Sequence, residues 1–549
     1  MTTTPPDRSS PTAPAARREA NGRRFWLDAL AAVSLANLLC YRTWGALAAG
    51  HGANAYWMKA EPKPLAFIAL MANEILLGLL LLFLFRLARR VEHRPSGPGR
   101  FALRTMLGLA GYVTVAVLIL NIYTMWFEQT SLARALGALN RFALILAEGL
   151  ALVFPVAYWA GRKSLLRGAL VLLTIVSPAV ALVFAQSIFR VVTYDPNRLT
   201  DKPTASRLSV PVLAPHVLWV IFDEWDEDLT FAHRPAGLKL PEIDGLRRET
   251  FYSDTAGTPG YATGLSMPAL TIGKRVSSVR PASPDELEIT LAGGEGTVRW
   301  SIQPNVFSEA RKLGFNTNVL SWSLPYCRVL NTSLTGCGWL SQAEAVDNDS
   351  LPEAMADQLR SLCETDFRSP FGQALLTREQ AWLYHQLLDK SRGIVSQRQY
   401  NLTLLHLPVP HPPFFYNRVT GKDDYGATPI RSLLLSGGAG YVDALALVDR
   451  CIGELRRTME AAGTWNDTTI LLSADHPYRE RRLLDGKPIV PYVPFIVKLA
   501  GQHQPLNCSA HFSALLTKDL LLAILKKEIS TPEELNAWIL PHKDAFPVD

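Results

Sequence analysis

Long apolar runs crowd into the chain before residue 192, and shorter blocks of apolar and polar residues alternate after it. Five of the early runs have the length of a membrane-spanning helix: 25–46, 64–86, 105–127, 140–160 and 168–190. "EILLGLLLLFLF" and "GALVLLTIVSPAVALVF" are the most uniform, while Asp28 and Arg42 interrupt the first run. A helix buried in a large core is also apolar all round, but five such runs in succession predict a helical membrane domain over 25–192. Residues 1–24 are rich in Pro, Thr, Ser, Ala and Arg and read as a disordered tail. No short apolar stretch with a small-residue cleavage site makes them a signal peptide.

Residues 193–212 are polar and proline-containing and predict a linker. Residues 213–549 then carry the pattern of an α/β domain. "HVLWVIFDEWDED" is an apolar run that stops at acids, the mark of a strand buried on both faces. "GFNTNVLSW", "YNLTLLHLPVPH", "WNDTTILLSADH" and "PYVPFIVKLAG" predict further strands, the second of them ending at His411. "YVDALALVDRCIGELRRTMEAAG" has apolar residues at helical spacing. Strands alternating with helices predict a mostly parallel central sheet.

Charge adds topology. Lys and Arg cluster in the tail, in the loop after the second run and in the loop after the fourth, so those segments face the cytoplasm and residues 213–549 lie on the far side. The formal net charge of +6 largely reflects this asymmetry and gives no reason to invoke nucleic acid. Glu74 and Glu148 fall inside apolar runs, where a carboxylate is costly; interhelical hydrogen bonding and a functional role both account for them. Cys327 and Cys337 stand ten apart in a loop assigned to an oxidising compartment, which allows a disulfide or two free thiols.

Ligands gather at the carboxyl ends of strands in open α/β sheets. Three predicted strand ends carry metal-ligand types: Asp223 with Glu224, His411, and Asp475 with His476. Carboxylate and imidazole together suit Zn²⁺ or Mn²⁺. Between the first two lies "DTAGTPGYATGLSMPALTIGK", a Gly/Thr-rich stretch that fits either a loop or an elbow presenting a hydroxyl nucleophile. Lys274 and Arg275 close it, adjacent in sequence, so at most one faces a site.

At these residues the chain resembles the alkaline phosphatase-like superfamily, in particular its membrane-anchored sulfatase-like branch of phosphoethanolamine transferases and lipoteichoic acid synthases. Asp223 stands at the acidic end of the first strand, and Thr263-Gly264-Leu265-Ser266-Met267-Pro268 matches the transferase pattern Thr-Ala-x-Ser-x-Pro. Asp475-His476-Pro477 stands for Asp-His-Gly, and His411 in "PHPPF" stands for the substrate-side histidine. The resemblance implies a divalent ion, zinc first and manganese second, held by Asp223, Thr263, Asp475 and His476. It implies Thr263 as nucleophile, His411 as the group that hydrogen-bonds the phosphoryl oxygens or protonates the leaving alcohol, and Glu224 as a ligand of a second metal or an orienting group. A membrane lipid would be the donor and an envelope lipid or glycan the acceptor, at a bacterial inner membrane with the catalytic domain on the periplasmic or extracellular side. Threonine at position 263 closes the formylglycine route of sulfatases, and Met267 stands where the sulfatase motif has arginine. An inactive membrane-tethered scaffold and a sulfuric ester hydrolase are the alternative readings.

Overall fold

The computed structural model describes residues 13–49, 56–57, 61–92, 97–127, 168–196, 199, 201–211, 213–340, 349–363, 370–425, 438–481 and 486–542. The chain divides into two compact units. One comprises Met1–Ala49, Pro62–Tyr194 and Asn348–Ser369; the other comprises Gly50–Glu61, Asp195–Asp347 and Pro370–Asp549.

The first unit is helical. Three helices are long and apolar enough to cross a membrane: Pro64–Val91, Pro98–Leu118 and Gly168–Val192. Leu79, Phe83, Phe101, Met106, Leu109, Ile175 and Leu182 on them are each more than half exposed, a surface that suits hydrocarbon better than water. The expected count of five is therefore three among the described residues. The run at 140–160 and Glu148 lie outside those residues. The first run does form a helix, but Ala13–Ala49 is not among the three candidate spans, because Asp28, Asn37 and Arg42 break its apolar character. This helix also begins well inside the stretch expected to be a disordered tail. Its early residues, "AARREA", are good helix formers and extend the helix upstream of the apolar run.

Side-chain polarity in these helices is used between them. Asp28 is buried by its ion pair with Arg89. Asn37 Nδ2 donates to Glu74 Oε1 at 3.2 Å, which gives Glu74 the interhelical role. Ala32, Ala36 and Leu39 pack on Leu81, and Gly78 lets the helices approach closely beside Val33. The amphipathic helix Leu351–Cys363, expected within the soluble domain, belongs to this unit instead. Asn73 Nδ2 donates to Met355 O at 3.0 Å and Gln358 Nε2 to Ala66 O at 2.8 Å.

The second unit is built on an eight-stranded sheet. In spatial order its strands are Leu506–Cys508, Phe251–Ser253, Phe495–Lys498, Thr468–Ala474, His216–Phe222, Leu402–Leu407, Thr317–Ser321 and Gly336–Trp339. Only Phe495–Lys498 runs antiparallel to its neighbours; the other pairings are parallel. "HVLWVIF", "LTLLHL" and "TTILLSA" are buried along nearly their whole length, because helices cover both faces. The register is what builds the site: Phe222 lies opposite Ala474 on one side and Leu407 on the other. The residues that follow, Asp223 and Asp475, thus leave the sheet side by side.

The segment before the first strand is strapped to this unit. Thr204 N donates to Asn331 O at 3.0 Å and Leu208 N to Asn316 Oδ1 at 2.9 Å. Cys327 and Cys337 form a disulfide that ties the short helix Tyr326–Val329 to the edge strand Gly336–Trp339. A three-stranded antiparallel sheet, Val276–Ser283, Glu286–Leu291 and Gly296–Arg299, follows the helix Thr263–Ile272.

Gly336 sits where the edge strand meets Tyr400 and Asn318, and a Cβ there would overlap the Tyr400 hydroxyl and lie 2.6 Å from Asn318 Oδ1. Gly336→Ala is expected to destabilise the fold by about 1–3 kcal/mol through overpacking. Gly338→Ala meets only the end of the flexible Leu320 side chain and should cost less. Thermal unfolding of the two variants in detergent checks the order; equal midpoints would refute it.

Candidate metal centre

Asp223 leaves the central strand fully buried, and Asp475 leaves the neighbouring strand equally buried with His476 next to it. One ligand atom from each of Asp223, Asp475 and His476 falls within 4.8 Å of the others. Thr263 arrives from a different element. It is the first residue of the helix Thr263–Ile272, which ends at Gly273 in the left-handed conformation (φ 72°) that glycine adopts without penalty. Thr263 Oγ1 lies 3.4 Å from Asp223 Oδ2 and 3.5 Å from His476 Nε2. The stretch 254–274 is therefore an elbow: a loop that delivers a hydroxyl at a helix N-terminus, where the backbone dipole favours negative charge.

The donor set fits a cation on its own terms. Asp223 Oδ1 and Asp475 Oδ2 are buried without a hydrogen-bond partner among the described residues. The other Asp475 oxygen, Oδ1, accepts from Glu224 N at 3.2 Å and His476 N at 2.8 Å, so the carboxylate is held with Oδ2 presented. His476 Nδ1 is 3.0 Å from Pro477 O, which places its proton there and leaves the Nε2 lone pair bare. That lone pair faces Asp475 Oδ2 at 3.3 Å and Asp223 Oδ1 at 3.9 Å. Lone pairs converging in a buried space repel unless a proton or a metal lies between them. Burial, and then the Asp475 charge, push the Asp223 carboxyl well above the ordinary range. A divalent ion would remove that penalty.

His411 is not at a strand end. The strand stops at Leu407, and His411 follows in a turn that contains the cis bonds Val409–Pro410 and Pro412–Pro413. A proline-rich turn cannot continue a sheet ladder, which is why the strand ends early. The turn nevertheless brings His411 to the site: its Nε2 is 4.0 Å from Glu224 Oε1, and its ring meets Trp322 edge-on at 5.1 Å. His411 Nδ1 lies 2.5 Å from Pro412 O, so the proton is on Nδ1, and Nε2 accepts from Arg479 Nη2 at 3.3 Å. Burial, and then the Arg479 charge, lower the imidazole to about 4. In this arrangement His411 Nε2 is an acceptor.

Glu224 is held in a left-handed backbone conformation (φ 65°), unusual for a residue other than glycine. Tyr441 clamps it: the hydroxyl donates to Glu224 O at 2.8 Å and accepts from Asp226 N at 2.9 Å. Tyr441 in turn stacks on Tyr478 at 3.9 Å. Lys274 is turned to Glu295 at 2.6 Å, away from the site.

Three site residues have no counterpart in the reading of the sequence. His406 is buried in mid-strand, with Nδ1 3.3 Å from the Tyr326 hydroxyl and Nε2 facing Asp223 Oδ2 at 3.5 Å. A histidine inside the otherwise apolar "LLHL" was its signal. Arg479 pairs with Glu224, three residues after His476, and Tyr441 carried no signal beyond its place on an amphipathic helix.

One family profile, sulfatase, matches residues 215–506, just over half of the chain. The chain belongs to the sulfatase family. It is accordingly an enzyme of the sulfatase/alkaline phosphatase superfamily. Solved structures similar to this sulfatase-family chain include a phosphonate monoester hydrolase of Agrobacterium radiobacter (16% identity, 57% of this chain and 74% of that one, TM-score 0.37). A phosphonate monoester hydrolase from Silicibacter pomeroyi matches at 15% identity over 57% and 73% of the two chains, TM-score 0.38. An alkaline phosphatase superfamily protein from Vibrio parahaemolyticus matches at 12% identity over 65% and 75%, TM-score 0.36. No curated protein matches the chain.

If the facing carboxylates of this sulfatase-family site await a cation, adding Mn²⁺ or Zn²⁺ raises the unfolding midpoint of chelator-treated protein. Asp475→Asn keeps the Oδ1 contacts but removes one charge. It should unfold no lower than wild type in chelator and gain little from metal. A metal response equal to wild type would refute Asp475 as a ligand.

Proposed function

We propose that this is a membrane-bound, metal-dependent phosphoryl-group transferase of phosphoethanolamine or phosphoglycerol type, or a phosphodiester hydrolase, acting on lipid or glycan of a bacterial cell envelope. Its catalytic unit faces the periplasmic or extracellular side of the inner membrane. The observation that carries this reading is the Thr263 hydroxyl at a helix N-terminus, within 3.5 Å of both Asp223 and His476. Asp223, Asp475 and His476 would hold the ion with Thr263, and zinc or manganese suits that set. When bound, the ion lowers the pKa of a hydroxyl beside it and neutralises the carboxylates.

The chain's own groups supply the rest. Thr263 Oγ1 gives up its proton toward Asp223 Oδ2 and attacks phosphorus. The bond from phosphorus to the leaving oxygen breaks, and that oxygen takes a proton from water. The product is a phospho-threonine. An acceptor hydroxyl, or water, then attacks the same phosphorus and loses its proton to His411 Nε2, which passes it to the hydroxide that the first step left. The bond to Thr263 breaks, and its oxygen recovers the proton from Asp223.

Peptide mass spectrometry across Thr263, on protein from its native membrane, is expected to find a phosphate-containing adduct that is lost in Asp475→Asn. Its mass separates phosphoethanolamine, phosphoglycerol and bare phosphate. Metal-loaded protein that never carries an adduct, even after rapid quenching with donor lipid, would refute the threonine nucleophile.

The pH profile is a second test. His411 must be unprotonated to take the acceptor's proton, and its pKa near 4 keeps it so at any higher pH. The limb that belongs to His411 should therefore lie near pH 4, apart from that of His476, whose imidazole is raised, against burial, by the Asp475 and Asp223 charges. A limb near 6.5 that vanishes in His411→Gln would show an ordinary, solvated imidazole instead.

A further inference from the structure

We propose that Arg479 is the anion-binding residue of this site, receiving the tetrahedral oxyanion of the ester that Thr263 attacks, with Glu224 as its holder. This rests on the phosphoryl-transfer reading above and names the group that recognises the substrate's charge.

Arg479 is placed for it. Its Nε and Nη2 each lie 2.5 Å from Glu224 Oε1, and Nη2 reaches His411 Nε2 at 3.3 Å. Glu224 is 2% exposed while the Arg479 side chain is 44% exposed. One edge of the guanidinium is therefore anchored inward on Glu224 while the side chain stays partly open to solvent. Nearby cations are committed elsewhere: Lys274 to Glu295, and the fully buried Arg481 to Asp228 and Asp226. Met267, on the nucleophile helix, is wholly buried and brings no charge.

Electrostatic balance points the same way. Asp223, Glu224 and Asp475 bring three carboxylates to the cleft. A divalent ion and one guanidinium balance them. Without Arg479 the loaded site stays net negative and repels an anionic ester, at close range and in a low dielectric. Glu224 is also outside the set of clustered ligand atoms, and the guanidinium occupies one of its oxygens. Glu224 Oε1 takes the guanidinium, while its Oε2 is buried without a partner among the described residues. The guanidinium supplies positive charge beside the clustered ligands. Its planar fork suits a phosphate or sulfate oxygen pair.

The test separates anion binding from simple neutralisation of Glu224. Calorimetry on the full chain in detergent, loaded with Mn²⁺, measures binding of inorganic phosphate and inorganic sulfate. Glu224→Gln is compared with the double variant Glu224→Gln/Arg479→Gln, with metal content measured in both. The double variant should bind phosphate at least about tenfold more weakly at equal metal content, because a charge-assisted contact is lost. Equal affinities would overturn the inference: Arg479 would then only neutralise Glu224. If the double variant does not fold, Arg479→Lys alone decides. It keeps the charge without the fork and should weaken phosphate binding several-fold, whereas wild-type affinity would overturn the fork's role. Binding of neither anion by wild type would instead overturn the phosphoryl-transfer reading itself. Phosphate binding tighter than sulfate supports a phosphate ester; the reverse order overturns that choice of ester and leaves Arg479 in place.

Discussion

Burying carboxylates that face each other is the constraint on which the catalytic unit depends. Asp223 and Asp475 are both fully buried, and the parallel register sets them side by side. An uncompensated charge in such a place costs several kcal/mol, far more than one hydrogen bond returns. The fold answers with fixed geometry. Backbone N–H groups of Glu224 and His476 take one oxygen of Asp475, and the Pro477 carbonyl takes the His476 proton. What remains exposed to the cavity is a set of lone pairs with no partner except a cation. A cation held by Asp223, Asp475 and His476 would remove that cost.

The elements around this point are arranged to hold it. Tyr441 spans the turn after the first strand, bonding Glu224 on one side and Asp226 on the other, and so stabilises a backbone conformation that a glutamate otherwise avoids. His406 reaches Asp223 from the strand on the opposite flank, with Tyr326 behind it. Tyr326 is itself next to the disulfide between Cys327 and Cys337. The site is thus braced from both neighbouring strands and from the helix layer, which is how a buried constellation keeps its spacing.

The sequence made some of this legible and hid the rest for physical reasons. Apolar runs ending in acids announced the parallel strands, because burial on both faces leaves no room for polar residues until the chain exits. Asp223, Asp475 and His476 were readable for that reason. Thr263 was readable by its ten-residue step to Gly273, whose positive φ ends the helix. His411 was placed correctly in space but on the wrong element, since two prolines end the strand at Leu407. Arg479 was not legible, because its partner Glu224 is 255 residues away and pairing at that separation leaves no local pattern. The extent of the first helix was misjudged because helix-forming residues upstream of an apolar run carry no apolar signal.

Threonine at position 263 suits this geometry. A threonine side chain is stiff about χ1, so at the first position of a helix its hydroxyl points in few directions. Here it points to Asp223 and His476 at 3.4 and 3.5 Å, longer than an optimal hydrogen bond to either. A hydroxyl held loosely by two potential metal ligands is free to become a ligand itself without first breaking a strong bond. The same methyl group that stiffens the side chain removes freedom that serine would retain. Position 263 therefore exchanges some adaptability for a hydroxyl already aimed.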